Sequence, residues 1–235
     1  MEFLTRAQAT LVLLILFLSA CTGAVQINDR RQTSVARNIL FVAATTIQDQ
    51  WQQMPLRGIT EYRLAVMNGQ LGIRAIGRNS ASGLIRRINV DPGKCPIIEW
   101  SWSVTRIQPG ADLRVKEAED VAASVFLMFG DPGFLFDPKP VPTLRYVWTN
   151  SRLPLDTIID NPYLPGIVRS VVVESGNKRV GSWVIERRNM SQDFEKAFGY
   201  PPKKNIQAIA LFTDNDQTLQ PVEAYYGWAR VVCEP

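Results

Sequence analysis

The sequence contains no histidine among its 235 residues. A chain without histidine cannot use a Ser-His-Asp triad, a Cys-His dyad, a histidine general base or a histidine-ligated zinc ion. Charge of one sign is also scarce, since 26 Lys and Arg residues against 22 Asp and Glu residues leave a net charge of +4. Basic residues form no runs longer than pairs, so we expect no nucleic-acid partner.

An apolar run near the N-terminus, Leu11 to Leu18, is shorter than the roughly 20 residues that a membrane span needs. It leads into the tetrapeptide Leu-Ser-Ala-Cys at residues 18–21, which resembles the site at which lipoprotein signal peptides are cut. We predict a lipoprotein signal peptide over residues 1–20, lipidation of Cys21 and a lipidated tether over residues 21–33. A non-cleaved anchor or an ordinary secretory signal is the alternative.

The location of the protein is predicted from the same segment. Acyl chains on Cys21 would hold the protein to a membrane, since each buried CH2 group contributes about 0.8 kcal/mol. The residue after the cysteine is Thr22. By resemblance to lipoprotein sorting signals, an Asp at this position would favour retention at the inner membrane, and its absence favours the outer membrane. We therefore expect a cell-envelope protein that is lipid-anchored in the outer membrane and faces the periplasm.

Cysteine is scarce as well, with three residues in all. Setting Cys21 aside leaves Cys95 and Cys233, an even pair in a compartment that permits disulfide bonds. We predict a bridge between them. Two separate buried thiols are the alternative, because the sequence does not give the Cα separation of about 4.4 to 6.8 Å that a bridge requires.

Residues 34–235 are predicted to form a single domain, since 46% of the chain is hydrophobic and this suffices for one sizeable core. Apolar spacing predicts an N-terminal helix that begins at Ser34 and reaches about Trp51. A second, short helix is predicted over Gln192–Phe198, with Ser191 as its N-cap and Gly199 at its end.

Most of the remaining sequence alternates with period two. Residues 62–76 alternate around Asn68-Gly69, a strong hairpin signal. Further strands are predicted at residues 83–90, 97–107, 122–129, 144–149, 168–175, 182–188, 206–213 and 225–233. Many strands with few helices predict a mainly β fold, an antiparallel β-sandwich of jelly-roll type. Two proline-bearing loops, 130–143 and 150–167, are long enough to suggest a functional role.

Five short motifs follow one another along the chain: Glu99-Trp100-Ser101-Trp102, Glu119-Asp120-Val121-Ala122, Tyr146-Val147-Trp148, Gly181-Ser182-Trp183 and Thr213-Asp214-Asn215-Asp216. In this order and spacing, the sequence from Trp51 onward resembles the bacterial domain-of-unknown-function 3047 family. The resemblance implies a secreted or envelope β-sandwich. It implies no activity, because the family has none assigned.

The segment after the predicted strand 206–213 is the best candidate for a metal site. Asp214 and Asp216 offer the hard oxygen ligands that Ca²⁺ prefers, and Asp120 is our candidate ligand from a second loop, with Glu119 beside it. The alternative is a turn whose side chains bond their own backbone.

A ligand-binding surface is predicted around Tyr146 and Trp148, which share one face of a strand between the two long loops. An aromatic platform beside polar groups suits a sugar ring. Asp120 and Arg187 complete the predicted ligand-binding set. The alternative for Asp120 is a structural ion pair with Arg187 or Arg188.

Three functions remain open. The first is a binding module that holds a polar ligand, such as an envelope glycan, in a groove; the lack of histidine and of a recognisable nucleophile favours it over an enzyme. The second is a carboxylate-dependent glycan hydrolase or lyase using acids such as Asp120 and Asp214, which requires two acids that face one cleft. The third is a structural lipoprotein that contacts an envelope protein through an apolar patch.

Overall fold

The computed structural model describes residues 39–43, 50–134, 137–150 and 152–233. The predicted signal peptide, Cys21 and the tether lie outside these residues, and their assignment stays a prediction. Within the described ranges, no helix is long and apolar enough to span a bilayer.

The described chain folds mainly into β-strands, with one α-helix and a single 3-10 turn at Lys116–Ala118. The elements are β1 (Ile39–Val42), β2 (Gln52–Arg57), β3 (Glu61–Met67), β4 (Gln70–Gly77), β5 (Ala81–Val90), β6 (Ile97–Arg106), β7 (Ala123–Phe129), β8 (Gly133–Phe134), β9 (Asp137–Pro138), β10 (Thr143–Thr149), β11 (Ile158–Asp160), β12 (Val168–Ser175), β13 (Val184–Asn189), α1 (Met190–Phe198), β14 (Ile206–Asp214) and β15 (Val222–Val232).

Two sheets pack face to face. The six-stranded sheet has the order β13-β6-β15-β4-β3, with β1 also paired to β15, and the seven-stranded sheet has the order β11-β12-β10-β7-β14-β5-β2. Neighbouring strands are antiparallel except for β10 and β12, which are parallel. Strands β8 and β9 form a separate ribbon. The predicted β-sandwich is confirmed.

The core lies between the sheets and is rich in large aromatic side chains. Trp100 on β6 stacks on Tyr146 of β10 with ring centroids 5.0 Å apart, and Trp102 meets Trp148 at 5.9 Å. All four side chains are fully buried. Successive residues of a strand point to opposite faces. Because Tyr146 and Trp148 point into the core, the odd-numbered residues of β10 lie on the outer face of the seven-stranded sheet.

The β3–β4 hairpin forms at the predicted turn. Asn68 and Gly69 both have positive φ, 50° and 78°, which is the backbone that a two-residue type I′ turn requires. Strand pairing from Glu61 against Ile76 to Met67 against Gln70 follows without a register shift.

The predicted helix from Ser34 to Trp51 is wrong at residues 39–43; residues 34–38 and 44–49 lie outside the described residues, and Gln50 is helical. Residues Ile39–Val42 form strand β1, which pairs antiparallel with β15. Leu40 and Phe41 are buried, and this stretch of aromatic and β-branched side chains suits a strand packed on an existing sheet edge. Four apolar residues in a row fit a strand as well as a helix, so their spacing did not decide between the two.

The second helix is observed, with a different first residue. The helix α1 begins at Met190, and the side chain of Asn189, not of Ser191, accepts the capping hydrogen bond from the Gln192 amide at 3.0 Å. Ser191 instead donates to the carbonyl oxygen of Pro92 at 2.6 Å. Gly199 ends the helix in the left-handed conformation, as predicted.

A disulfide bond joins Cys95 to Cys233. It lies where β6 begins and β15 ends, next to the pairing of Ile97 with Val232. The bond therefore ties together the ends of two adjacent strands that are 138 residues apart in sequence.

Candidate functional site: a groove on the seven-stranded sheet

The outer face of the seven-stranded sheet is divided into two halves. Over β10 and β12, Val147 and Val172 are covered by side chains from the loops and from β11. We call this cluster the covered half; it comprises Leu113, Val121, Val147, Leu153, Ile159 and Val172. All of its members are buried, so no ligand can reach the sheet there.

Over β5, β7 and β14, the same face lies open in a groove with a cavity volume of about 1230 Å³. Its floor is apolar: Ile85, Phe126, Met128, Ala210 and Phe212. The floor is deep because Ala208 and Ala210, at the centre of β14, carry short side chains beside the longer ones of β7. We call this space the open groove.

The two long loops supply part of the groove wall. The loop between β7 and β10 contributes Pro138, Pro140 and Val141, and the loop between β10 and β12 contributes Asn161 and Tyr163. Both loops thus reach one cavity, although it lies on the opposite side of β10 from the surface that the sequence predicted.

One end of the open groove carries a buried ion pair. Arg145, on the outer face of β10, donates to the carboxylate of Glu119 and is 2% exposed. Its Nε has no hydrogen-bond partner in the described part of the chain. The guanidinium also lies over the ring of Phe126, 5.3 Å from the centroid, so it connects the charged end of the groove to the apolar floor.

Three aspartates form an acid cluster at the same end. Asp120, Asp214 and Asp216 each place a carboxylate oxygen within 4.8 Å of the others, and all three are buried. Asp120 accepts hydrogen bonds from the amides of Gln217 at 3.2 Å and Thr218 at 2.7 Å, which holds the turn after β14. Asp214 accepts from another amide, that of Val121, at 2.9 Å.

The buried carboxylates of the acid cluster repel one another when they are charged. Burial raises the pKa of Asp214 well above its ordinary value; Arg145 opposes this shift, and Glu119 and Asp120 reinforce it. Burial and the neighbouring Asp120 also raise the pKa of Asp216. Such a cluster can relieve its repulsion by holding a proton or a divalent cation, and its oxygen ligands have the chemistry that Ca²⁺ prefers. Calcium binding stays a prediction.

The predicted ligand-binding role of Tyr146 and Trp148 is wrong. Both side chains are 0% exposed and point into the core, where the Tyr146 hydroxyl bonds Asp193 at 3.1 Å and Trp148 donates to the Gly176 carbonyl at 3.3 Å. Alternation shows that they share a face, but it does not show whether that face is inner or outer.

Arg187 is not near the other predicted site residues. It lies on β13 and forms an ion pair with Glu99, in the six-stranded sheet. The alternative in which Asp120 pairs with Arg187 or Arg188 is also wrong, because Arg188 bonds Asp193 at 2.9 Å. Asp120 instead has the backbone of the turn after β14 as its partner.

Sequence reasoning missed the groove floor and Arg145. The available signal was Arg145 itself, an arginine at the centre of the otherwise uncharged strand β10. A buried arginine in a strand needs a carboxylate partner, and Glu119 is the one the structure provides.

Together these features define a two-sheet β-sandwich domain with an open groove on one outer face. The family model described as "Protein of unknown function (DUF3047)" matches residues 49–229, and the chain belongs to this family. No curated protein matches the sequence.

Solved structures with a similar fold are distant in sequence. A family 11 carbohydrate-binding module of a Clostridium thermocellum cellulosomal cellulase is 10% identical, with 79% of this chain and 88% of that chain covered and a TM-score of 0.41. A family 30 carbohydrate-binding module from a C. thermocellum cellulosomal cellulase is 8% identical over 83% and 96% of the two chains, with a TM-score of 0.43. The CBM22-1 xylan-binding domain of Paenibacillus barcinonensis Xyn10C is 12% identical over 84% and 97%, with a TM-score of 0.39.

Proposed function

We propose that this protein is a binding domain that holds an oligosaccharide in the open groove. The observation that carries the proposal is the combination, in one cavity of about 1230 Å³, of an apolar floor with hydrogen-bonding groups concentrated at one end. A carbohydrate presents the complementary surfaces, because sugar rings have apolar C–H faces and hydroxyl edges.

The floor would contact the apolar faces of the sugar rings. Phe126 is partly exposed and lies between Met128 and the guanidinium of Arg145. At the rim, Tyr163 is 43% exposed and is fixed by a hydrogen bond from its hydroxyl to the Lys116 carbonyl at 2.7 Å. A fixed aromatic ring offers contact area at little cost in conformational entropy.

The charged end would bind sugar hydroxyls. Asp216 lines the groove, and its Oδ1 atom has no hydrogen-bond partner among the described residues, so it would gain one from a ligand hydroxyl that reaches it. Arg145 has a free Nε that can donate. A buried polar atom without a partner costs about 1–3 kcal/mol, and a ligand that satisfies it recovers that energy.

The envelope location belongs to the same proposal and rests on the sequence around Cys21. A lipid anchor would keep the groove near the periplasmic face of the outer membrane, where envelope glycans are found. Metabolic labelling with a palmitate analogue tests the anchor: the full-length protein should be labelled, and Cys21→Ser should not. Labelling of both forms, or of neither, would contradict the anchor without bearing on the groove.

A glycan-binding screen by thermal melting tests the groove. A ligand at 100 times its dissociation constant stabilises the folded state by about 2.7 kcal/mol, which a melt detects easily. We expect at least one envelope or cell-wall oligosaccharide to raise the melting temperature, and Phe126→Ala to reduce the rise. Tyr200→Ala, a partly exposed aromatic that does not line the groove, is the matched control and should keep it. A flat response to the whole panel would instead favour an envelope protein as the partner.

Repeating the melts in Ca²⁺ and in chelator tests the acid cluster. If Ca²⁺ binds there, chelation lowers the melting temperature of the wild type and leaves that of Asp216→Asn unchanged. Equal melting temperatures of the wild type in both buffers would exclude a calcium role in stability.

A glycan-active hydrolase is the second candidate, because Glu119, Asp214 and Asp216 all line the same groove. Burial shifts the pKa of Asp214 upward, which is the direction that a general acid requires. Chromatography of oligosaccharides after prolonged incubation tests this role. New reducing ends that are lost in Asp214→Asn would show hydrolysis, whereas unchanged substrates that still raise the melting temperature would show binding alone.

A further inference from the structure

We propose that the glycan in the open groove carries a free amino group, and that this group binds as an ammonium ion to Asp216 and Gln217 at the charged end of the groove. This inference rests on the proposed function, and it names the class of sugar that this end accepts.

Strand β14 presents part of the acid cluster to the groove. Leu211 packs in the core between the sheets, so Phe212 and Asp214 point to the opposite, outer face. Phe212 belongs to the groove floor, and Asp214 continues the same face toward the turn, where Asp216 and Gln217 also line the cavity. We call Asp214, Asp216 and Gln217 the end wall of the groove.

Two buried acceptor atoms of the end wall have no hydrogen-bond donor within the residues that the structure describes. They are Oδ1 of Asp216, a residue that is 6% exposed, and Oε1 of Gln217. Gln217 is not a member of the acid cluster, so its unpaired oxygen is an observation independent of the carboxylates. Buried polar atoms nearly always have partners, so two adjacent exceptions point to a ligand that brings donors.

The side-chain amide of Gln217 cannot turn to remove its unpaired oxygen. Its Nε2 atom donates to the hydroxyl oxygen of Tyr163 at 2.9 Å and to Oδ2 of Asp216 at 3.0 Å. The Tyr163 hydroxyl already donates its own hydrogen to the Lys116 carbonyl, so it can only accept from Gln217. Exchanging the amide oxygen and nitrogen would break both bonds.

The cations near the end wall leave Oδ1 of Asp216 unpaired. Arg145 already binds the carboxylate of Glu119. Arg57 approaches Oδ2 of Asp216 at 3.6 Å, but its side chain is 69% exposed, so solvent screens this ion pair. Lys116 does not line the groove.

Negative charge is therefore in excess at the end wall. Asp120 and Asp214 accept hydrogen bonds from backbone amides, and neither forms an ion pair within the described part of the chain. Burial and the neighbouring carboxylate of Asp120 raise the pKa of Asp216, so a positive charge beside it would relieve the repulsion.

An ammonium group supplies what the end wall lacks. It carries three N–H donors and a positive charge, whereas a sugar hydroxyl supplies a donor without the charge. An N-acetylated amine has a single N–H donor and no charge. The end wall therefore favours an amino sugar over a neutral sugar of the same shape.

Matched oligosaccharides test this inference by titration calorimetry on the whole protein. The probes are tetramers of β-1,4-linked glucosamine and α-1,4-linked galactosamine, each beside its N-acetylated form and beside the form with a hydroxyl in place of the amine. All titrations contain a chelator, so that no divalent cation occupies the acid cluster, and are run at about pH 6, where an amine is protonated.

We expect at least one amine-bearing tetramer to bind about tenfold more tightly than both of its neutral counterparts, which corresponds to about 1.4 kcal/mol. The preference should shrink in about 0.5 M salt, because charge attraction is screened.

Variants locate the effect. Asp216→Asn and Gln217→Met should each reduce the preference for the amine and leave binding of the hydroxyl form within about twofold of the wild type. The matched controls are Asp137→Asn and Gln192→Met, which change exposed residues that do not line the groove and should bind like the wild type. Gln217 is partly exposed, so its variant is informative even if Asp216→Asn alters stability.

The possible failures are distinguishable. If no amine-bearing tetramer binds more tightly than its neutral counterparts, or if both end-wall variants keep the preference, the inference is wrong, and a thermal shift with any glycan of the panel leaves the proposed function standing. If no tetramer binds and the glycan panel also gives no thermal shift, the proposed function fails and the inference fails with it.

Discussion

The covered half and the open groove lie on the same outer face of the same sheet, and both are built from apolar side chains. In the covered half, Leu113 and Leu153 reach over Val147 and Val172 and bury them. In the open groove, Val141 packs against the buried Met128, but Phe126 stays partly exposed and a cavity of about 1230 Å³ remains. A sheet face that is closed on one side and left open on the other is typical of a surface kept for a ligand.

Trp148→Ala should give the largest loss of stability. The variant tests the assignment of inner and outer faces of β10, on which the contrast between the covered half and the open groove depends. The side chain is fully buried among the core aromatics, so we expect a loss of about 3–5 kcal/mol in the free energy of unfolding. Urea denaturation measures it. A loss below about 1 kcal/mol would place Trp148 outside the core.

Leu113→Ala should give the next largest loss of stability, since it removes part of the side-chain layer over Val147. The side chain is 1% exposed, and we expect a loss of about 3 kcal/mol without any change in glycan binding. Denaturation and calorimetry on the same preparation separate the two effects. If Leu113→Ala binds the glycan more weakly while the control Tyr200→Ala binds like the wild type, then the covered half and the open groove are coupled.

Phe126→Ala should weaken glycan binding more than it lowers stability, the reverse of Leu113→Ala. Its ring is partly exposed on the groove floor, so we expect a smaller loss of stability, about 1 kcal/mol, with a loss of binding of about tenfold or more. If the loss of stability equals that of Leu113→Ala, then the groove is packed rather than open.

Asp214→Asn should have the smallest effect, visible as a change in pH dependence. The folded pKa of Asp214 lies above the ordinary value of 3.8, so the folded state binds more protons than the unfolded state. The free energy of unfolding should therefore fall as pH rises from about 3.8 toward the folded pKa. Asparagine cannot titrate, so the variant should lose this contribution and become more stable relative to wild type as pH rises.

Urea titrations between about pH 4 and 8 measure this difference. Asp137→Asn, an exposed aspartate on β9, serves as the control and should follow the wild type. Parallel curves for Asp214→Asn and wild type would contradict the raised pKa.

Much of the fold could be predicted from the sequence, because period-two alternation and the Asn68-Gly69 turn are local signals. Strand β1 could not, since its conformation depends on the edge of β15, which is distant in sequence. Asp214 and Asp216 were named from their spacing and Asp120 as a candidate from a second loop, and the three lie together. Tyr146 and Trp148 were misplaced because choosing the inner face of β10 requires knowing which sheet packs against it.

The position of β15 has a consequence for how the protein is made. This strand pairs with β1, β4 and β6, so it stands at the centre of the six-stranded sheet although it follows all the other strands in sequence. During synthesis, the partner strands must wait with their edges unpaired until β15 leaves the ribosome, and exposed edges of this kind invite aggregation. We therefore expect the six-stranded sheet to form only once β15 is available and to benefit from chaperones that shield the unpaired strands.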